Sequence, residues 1–173
     1  MMITLRFVSS TDLMARIIRG AELGFAYQHV EAKMPDGTLL GAHLDGGVQA
    51  RAADYDTAYV ADLYVSVPCS ADQEAAFETF LRAQVGKPYD VVAIAEMADG
   101  VVTGEAPDWP QSPSWICSAL QTAALLTAGI IKGAPATVRL ATPRDVLVAC
   151  AALTTIGEPK ANPAVSKIRW QLA

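Results

Sequence analysis

Short stretches in which apolar and polar positions alternate dominate the first part of the chain, and this period of two is typical of β-strands. It predicts four strands, over 3–8, 25–34, 38–45 and 57–67. Pro35-Asp36-Gly37 predicts a hairpin turn between the second and the third of them. Gly46-Gly47 interrupts the third strand, and Val48 is expected to begin a bent continuation of it.

Apolar positions three or four residues apart predict helices between and after these strands. Ser70 and Gln73 form a capping box, in which each side chain satisfies a free N–H group at a helix start, and Gly86 marks the end of that helix. Pro143 predicts another helix start, since proline fits the first helical position. The predicted helices run from Ser9 or Ser10 to about Gly20, from 71 to about Val85, from Asp90 through Met97, from Cys117 to about Ala128, and from Pro143 to near Leu153.

The remaining segments are predicted to be loops or short strands. Residues 99–114 contain two glycines and three prolines, so we expect a long loop there, and long loops in compact domains are often functional. Residues 136–140 predict a strand, and 155–165 a turn-rich connection to a last strand over 165–172. The whole chain, 1–173, is therefore expected to be one α+β domain with a C-terminal extension from residue 155.

The charge balance argues against nucleic acid as a partner. The net charge is −5 and no cluster of Lys and Arg stands out, whereas nucleic-acid binding depends on positive charge that neutralises phosphates. Hydrophobic residues make up 52% of the chain, which favours a core rich in Ala and Val; a homo-oligomer or an apolar substrate is the alternative. The longest apolar run, from Ala123 to Ile131, is shorter than the ~20 residues of a membrane span. We expect a cytoplasmic protein with no integral membrane segment, or one acting at the cell envelope if a leader was removed or the protein is phage-derived.

Cys117 is the strongest candidate for chemistry, because it lies where a proline-rich loop turns into an apolar helix. Free N–H groups and the helix dipole stabilise a thiolate there. The neighbouring hydroxyl of Ser118 gains less from that position. Cys69 lies between a strand and a helix cap, and Cys150 lies inside a helix pattern, where core packing is expected. Three widely spaced cysteines with no C-x-x-C pair predict reduced thiols, and with only two histidines neither a zinc site nor a cofactor is expected.

His29 is the candidate base. A period of two places Tyr27, His29, Glu31 and Lys33 together on the polar face of the predicted strand. His43 lies on the partner strand, near His29 across the hairpin, where a third polar group could orient the imidazole. Glu31 is the rival for that role, although its side chain is expected to point alongside the His29 ring rather than at it. The alternative is an exposed strand histidine with no catalytic role.

Four segments together resemble the circularly permuted NlpC-type papain-like superfamily, and within it the YiiX-like group regarded as cell-wall peptidases. They are Gln28-His29-Val30-Glu31, Gly86-Lys87-Pro88-Tyr89-Asp90, Trp115-Ile116-Cys117-Ser118-Ala119-Leu120 and Thr142-Pro143-Arg144-Asp145. Their order and spacing cover roughly residues 3 to 150. The resemblance implies an α+β, permuted papain-like fold, in which a small barrel-like antiparallel sheet is packed with helices and the nucleophile starts a helix.

By this resemblance, Cys117 is the nucleophile and His29 the general base of a cysteine peptidase or amidase. Its substrate would be a peptidoglycan-type peptide or muropeptide, cleaved through a thioester. The family's third polar residue falls on or near Gly41, so His43, two residues on and on the same face, is the expected substitute. The expected cleft is lined by Tyr27, Glu31, Tyr89, Trp115 and Ser118. Two alternatives stay open: a lipid or ester acyl hydrolase or acyltransferase of the same fold, and a binding module that has lost activity.

Overall fold

Antiparallel strands form one sheet with the first strand at its centre. The computed structural model describes residues 1–11, 24–103, 113–132, 138–151, 153, 155–156 and 160–161. The strands are β1 (Met2–Ser9), β2 (His29–Lys33), β3 (Leu39–His43), β4 (Gly47–Arg51), β5 (Ala61–Pro68), β6 (Thr155–Ile156) and β7 (Lys160–Ala161). Their order is β4-β3-β2-β1-β5-β6, and β7 also pairs with β5. The predicted α+β class is confirmed.

The sheet is open, so the expected barrel-like closure is wrong for the described strands. A sheet closes only when its two edge strands pair with each other, and β4 and β6 stand at opposite ends of this one. The β4 edge bonds elsewhere: the N–H of Val48 donates to the Lys87 carbonyl at 2.8 Å, and the N–H of Gly86 donates to the Val48 carbonyl at 2.9 Å. Gly47 permits this approach, because a Cβ there would lie 2.2 Å from the Lys87 oxygen. The edge of the sheet is therefore joined to the segment that follows the first described helix.

The described helices are α1 (Ala71–Gln84), α2 (Val91–Thr103), α3 (Cys117–Thr127) and α4 (Pro143–Ala151), with a short 3₁₀ helix at Val138–Leu140. The capping box of α1 is confirmed: Ser70 Oγ accepts the Gln73 N–H at 3.2 Å, and Gln73 Oε1 accepts the Ser70 N–H at 3.0 Å. The hairpin turn is confirmed as well, since the Gly37 N–H donates to the Met34 carbonyl at 2.9 Å. The predicted helix that ends near Gly20 and the last strand over 165–172 lie outside the described residues.

Four predictions for individual segments are wrong. Helix α2 continues to Thr103, into the segment predicted to be a loop. The predicted strand over 136–140 is a 3₁₀ helix at Val138–Leu140, where Arg139 turns inward to pair with acidic side chains beside α2. Val48 belongs to a separate strand, because residues 44–46 form a turn and β4 pairs antiparallel with β3. The stretch 155–165, predicted to be turns, contributes the two short strands that pair with β5.

One face of the sheet packs against α1, α3 and α4 to form the main core. From β1 it takes Ile3, Leu5 and Phe7, as the alternating pattern predicted, and these side chains are 0–4% exposed. A fully buried side chain of this size contributes about 1.5–3 kcal/mol, so this face is the main source of stability. The opposite face carries the polar residues of β1 and β2. Among the described residues, no helix combines the length and apolar character needed to cross a membrane.

Candidate active site

Cys117 is the first residue of α3, where backbone N–H groups are free. It follows Ile116, which has an extended backbone and supplies no side-chain cap. Gln121, one turn into the helix, donates from Nε2 to the Leu40 carbonyl at 3.1 Å and so fixes α3 on the sheet. The Cys117 thiol donates to the Gln28 carbonyl at 4.0 Å, and the backbone N–H groups of Val30 and Ser118 act to lower the pKa of this thiol. The sulfur therefore lies between the start of α3 and the residues that begin β2.

His29 begins β2 and lies beside this sulfur, so the structure brings together the two residues that sequence reasoning paired. Burial alone would raise the pKa of the Cys117 thiol, but the positive charge of His29, a hydrogen bond with it and the backbone donors outweigh burial and hold that pKa below its ordinary value. The pKa of His29 moves the other way: burial lowers it, but the Cys117 thiolate and the Glu31 carboxylate raise it to about 10. These opposite shifts favour a thiolate–imidazolium pair at neutral pH.

The two members of the pair differ in exposure. Cys117 is 3% exposed, whereas the His29 side chain is 23% exposed. The pair therefore meets solvent through the imidazole.

Glu31 stands behind His29. Its Oε2 atom lies 3.5 Å from His29 Nε2, so the carboxylate faces the ring. The expectation from the sequence that it points alongside the ring is wrong. Burial raises the pKa of Glu31, but the two histidines and Arg6 outweigh it and hold that pKa below its ordinary value. Glu31 is 0% exposed. A fully buried carboxylate therefore stabilises the cationic form of His29.

Two residues that sequence reasoning missed, Arg6 and Tyr55, hold this carboxylate. The Arg6 guanidinium donates to Glu31 Oε1 at 3.0 Å and to Asp62 Oδ2 at 3.2 Å. The Tyr55 hydroxyl, in the segment between β4 and β5, donates to Glu31 Oε2 at 3.1 Å. One sequence feature could have revealed Arg6: it is the single charged residue of β1, and the strand pairing places it opposite Glu31.

His43, the expected orienter, faces the carboxylate rather than His29 itself. Its Nε2 atom lies 3.7 Å from Glu31 Oε2, and its ring centroid lies 4.9 Å from that of His29. Burial and the positive charge of His29 lower the pKa of His43 to about 3, so this imidazole is neutral. Among the described residues, His29, Glu31 and His43 are the group that could hold a metal ion, with one ligand atom from each all within 4.8 Å of one another.

The segment of Pro88, Tyr89 and Asp90 runs beside the start of α3 and fixes it. The Trp115 N–H donates to the Pro88 carbonyl at 3.0 Å, and the Asp90 N–H donates to the Trp115 carbonyl at 3.1 Å. Asp90 also caps α2, as the sequence predicted, by accepting the Ala93 N–H at 2.9 Å. Tyr89 is a half-buried phenol close to Cys117. Its burial and the charge of the Cys117 thiolate both raise its pKa. The Gly-Lys-Pro-Tyr-Asp segment therefore positions the loop that carries the cysteine.

The other three residues expected in the cleft occupy different surroundings. Tyr27 precedes β2, so the strand alternation does not extend to it; it packs in the main core, edge-on to Phe7 with ring centroids 6.3 Å apart. Ser118 is 0% exposed, and its hydroxyl has no partner among the described residues, so it contributes its backbone N–H rather than a side chain. Trp115 is half-buried and anchored, because its Nε1 donates to Gln84 Oε1 at 3.1 Å.

The remaining cysteines lack this environment. Burial raises the pKa of Cys150 to about 11, and burial also raises the pKa of the partly exposed Cys69. All three cysteines are free thiols, as the sequence predicted. Cys117 alone has a pKa shifted towards the thiolate.

Comparison with known proteins gives a fold and no more. No protein-family model matches the chain, and no curated protein does. A solved structure of similar fold is the metalloprotein YiiX from Escherichia coli O157:H7. It is 15% identical, with a TM-score of 0.55, over 91% of this chain and 96% of that one. The predicted likeness to YiiX-like proteins is therefore confirmed as a shared fold.

Proposed function

We propose that this protein is a cysteine hydrolase of the permuted papain-like type, which cleaves an amide through a thioester on Cys117. The observation that carries the proposal is the pairing of Cys117 with His29, in which the thiol pKa is lowered and the imidazole pKa raised. A purely structural cysteine in such a buried place has its thiol pKa raised, as Cys150 does. Glu31 completes the set as the carboxylate that supports the cationic imidazole.

The chemistry follows from these groups. The Cys117 thiolate attacks the substrate carbonyl carbon, and the oxyanion that forms is stabilised by the free N–H of Cys117 at the start of α3. The His29 imidazolium gives its proton to the leaving amine, and the C–N bond breaks to leave a thioester. His29, now neutral, takes a proton from water, which attacks the thioester and releases the acid. The substrate approaches from the side on which His29 is exposed.

The proposed substrate is a peptidoglycan-type peptide or muropeptide, and support for it comes from the sequence segments that resemble the YiiX-like group. The test is to incubate the chain with a muropeptide digest and, separately, with nitrophenyl esters of short and long acyl chains. Mass spectrometry then looks for an acyl group on the Cys117 peptide, with Cys117→Ala as the inactive variant and Cys150→Ala as the matched control.

The proposal expects amide cleavage that Cys117→Ala abolishes and Cys150→Ala retains. Ester cleavage without peptide cleavage would replace the substrate class by acyl esters. No acyl adduct and no turnover on either class would leave a binding module as the function.

A further inference from the structure

Three polar side chains converge on one point of the sheet at separations longer than an ordinary hydrogen bond. His29 Nε2 and His43 Nε2 lie 3.5 Å and 3.7 Å from Glu31 Oε2, and one possible ligand atom from each of the three residues lies within 4.8 Å of the others. An N–H···O hydrogen bond spans about 2.7–3.2 Å, so both separations are too long for one. Ligands held at about 2.0–2.2 Å from a tetrahedral Zn²⁺ lie about 3.3–3.6 Å apart. The two separations to Glu31 therefore match the spacing of ligands around an ion better than that of hydrogen-bonded groups.

Both imidazole nitrogens are also unpartnered. Neither His29 Nε2 nor His43 Nε2 has a hydrogen-bond partner among the described residues. His43 is only 7% exposed. A buried polar atom left without a partner costs about 1–3 kcal/mol, so a ligand that both nitrogens bind would remove this cost twice.

Gly41 lies against all three of these side chains. A Cβ at this position would lie 3.0 Å from Glu31 Cβ, which is a tight contact, and 3.4 Å from His43 Nε2 and 3.6 Å from His29 Nε2. The backbone of Gly41 has no positive φ that would require glycine. Glycine at this position therefore leaves room for the neighbouring side chains, and the backbone conformation does not require it. The resemblance expects a polar residue at the same position.

The carboxylate is held in a way that suits a metal ligand. Arg6 occupies Glu31 Oε1 at 3.0 Å, and the Tyr55 hydroxyl takes one lone pair of Oε2 at 3.1 Å. The same Oε2 atom lies 3.5 Å and 3.7 Å from the Nε2 atoms of His29 and His43. Ligating carboxylates are commonly hydrogen-bonded in this way by surrounding groups, which fix their orientation.

We propose that His29, Glu31 and His43 bind one divalent transition-metal ion of the Zn²⁺ class. The proposal stands on the positions of the three side chains, and it is independent of whether Cys117 is a nucleophile.

Metal binding is tested on the whole chain after chelation and buffer exchange. Zn²⁺ titration by calorimetry should give one ion per chain, and Zn²⁺ should raise the melting temperature, because it binds the folded state. His43→Ala should weaken binding at least tenfold, whereas Asp72→Asn, which removes an exposed carboxylate in the first turn of α1, should leave it unchanged. The absence of both stoichiometric binding and a melting shift in the unmutated chain would overturn the site.

Co²⁺ distinguishes this site from one centred on the cysteine. Coordination by imidazole and carboxylate gives visible ligand-field bands, whereas binding to Cys117 adds a thiolate charge-transfer band that Cys117→Ser removes. Observation of that thiolate band, or of full affinity in His43→Ala, would overturn the assignment to His29, Glu31 and His43.

Discussion

Replacing Arg6 with methionine tests the buried charge network that holds the site. Arg6 is 2% exposed and is the guanidinium that joins Glu31, at 3.0 Å, to Asp62, at 3.2 Å. Its removal leaves two buried carboxylates without their partner, which typically costs about 3–5 kcal/mol. In a chain of this size, that loss corresponds to a fall in melting temperature of roughly 6–20 °C. Urea denaturation followed by circular dichroism gives the free energy of unfolding directly.

The matched control is Arg82→Met, because Arg82 pairs with Asp36 at 3.5 Å with both side chains about half exposed. An exposed pair contributes little, so the control should unfold as the parent does. A second substitution, Glu31→Gln, in the Arg6→Met chain should recover part of the loss, since it removes one uncompensated charge. The reasoning is refuted if Arg6→Met is no less stable than Arg82→Met, or if Glu31→Gln destabilises it further.

Two further predictions concern pH and the neighbouring network. In metal-free protein, the alkylation rate of Cys117 should level off with a midpoint below the ordinary thiol pKa of 9.0, whereas that of Cys150 should still be rising at pH 11. Rates measured from pH 5 to 11 would contradict this if the rate for Cys117 is also still rising at pH 11. Arg139→Met should lower the free energy of unfolding by about 3–5 kcal/mol, because it strips Asp90 and Glu96, both 1% exposed, of their cation; a loss under about 1 kcal/mol in urea denaturation would contradict that.

Interactions between residues close together in the chain explain which structural features the sequence could predict. The capping box of Ser70 and Gln73, the turn at Gly37 and the alternation of β1 depend on neighbours only a few residues away. The start of α3 at Cys117 follows from the same kind of information, a proline-rich approach followed by an apolar helix. These features were accessible because each one is set by nearby backbone groups.

Contacts between residues far apart in the chain explain which features the sequence could not predict. The Glu31 carboxylate reaches the imidazole because Arg6 and Tyr55, each 24 or 25 positions away, fix it from two sides. The inward turn at Arg139 depends on acids more than 40 residues earlier in the chain. The helix through Thr103 overrides a composition rich in glycine and proline that begins at Gly100. The contacts of Tyr55 and Arg139 have no signature in the nearby sequence, whereas the single charge of β1 marks Arg6.

Competitive alkylation of the three cysteines tests the central claim most directly. The metal-free chain is treated with limiting iodoacetamide near neutral pH, and each cysteine peptide is quantified by mass spectrometry. Exposure alone predicts that Cys69, which is more exposed than Cys117, reacts first. The thiolate–imidazolium pair predicts the reverse order, with Cys117 fastest and its lead lost in His29→Ala. If Cys117 reacts no faster than Cys69 and Cys150, the account is contradicted.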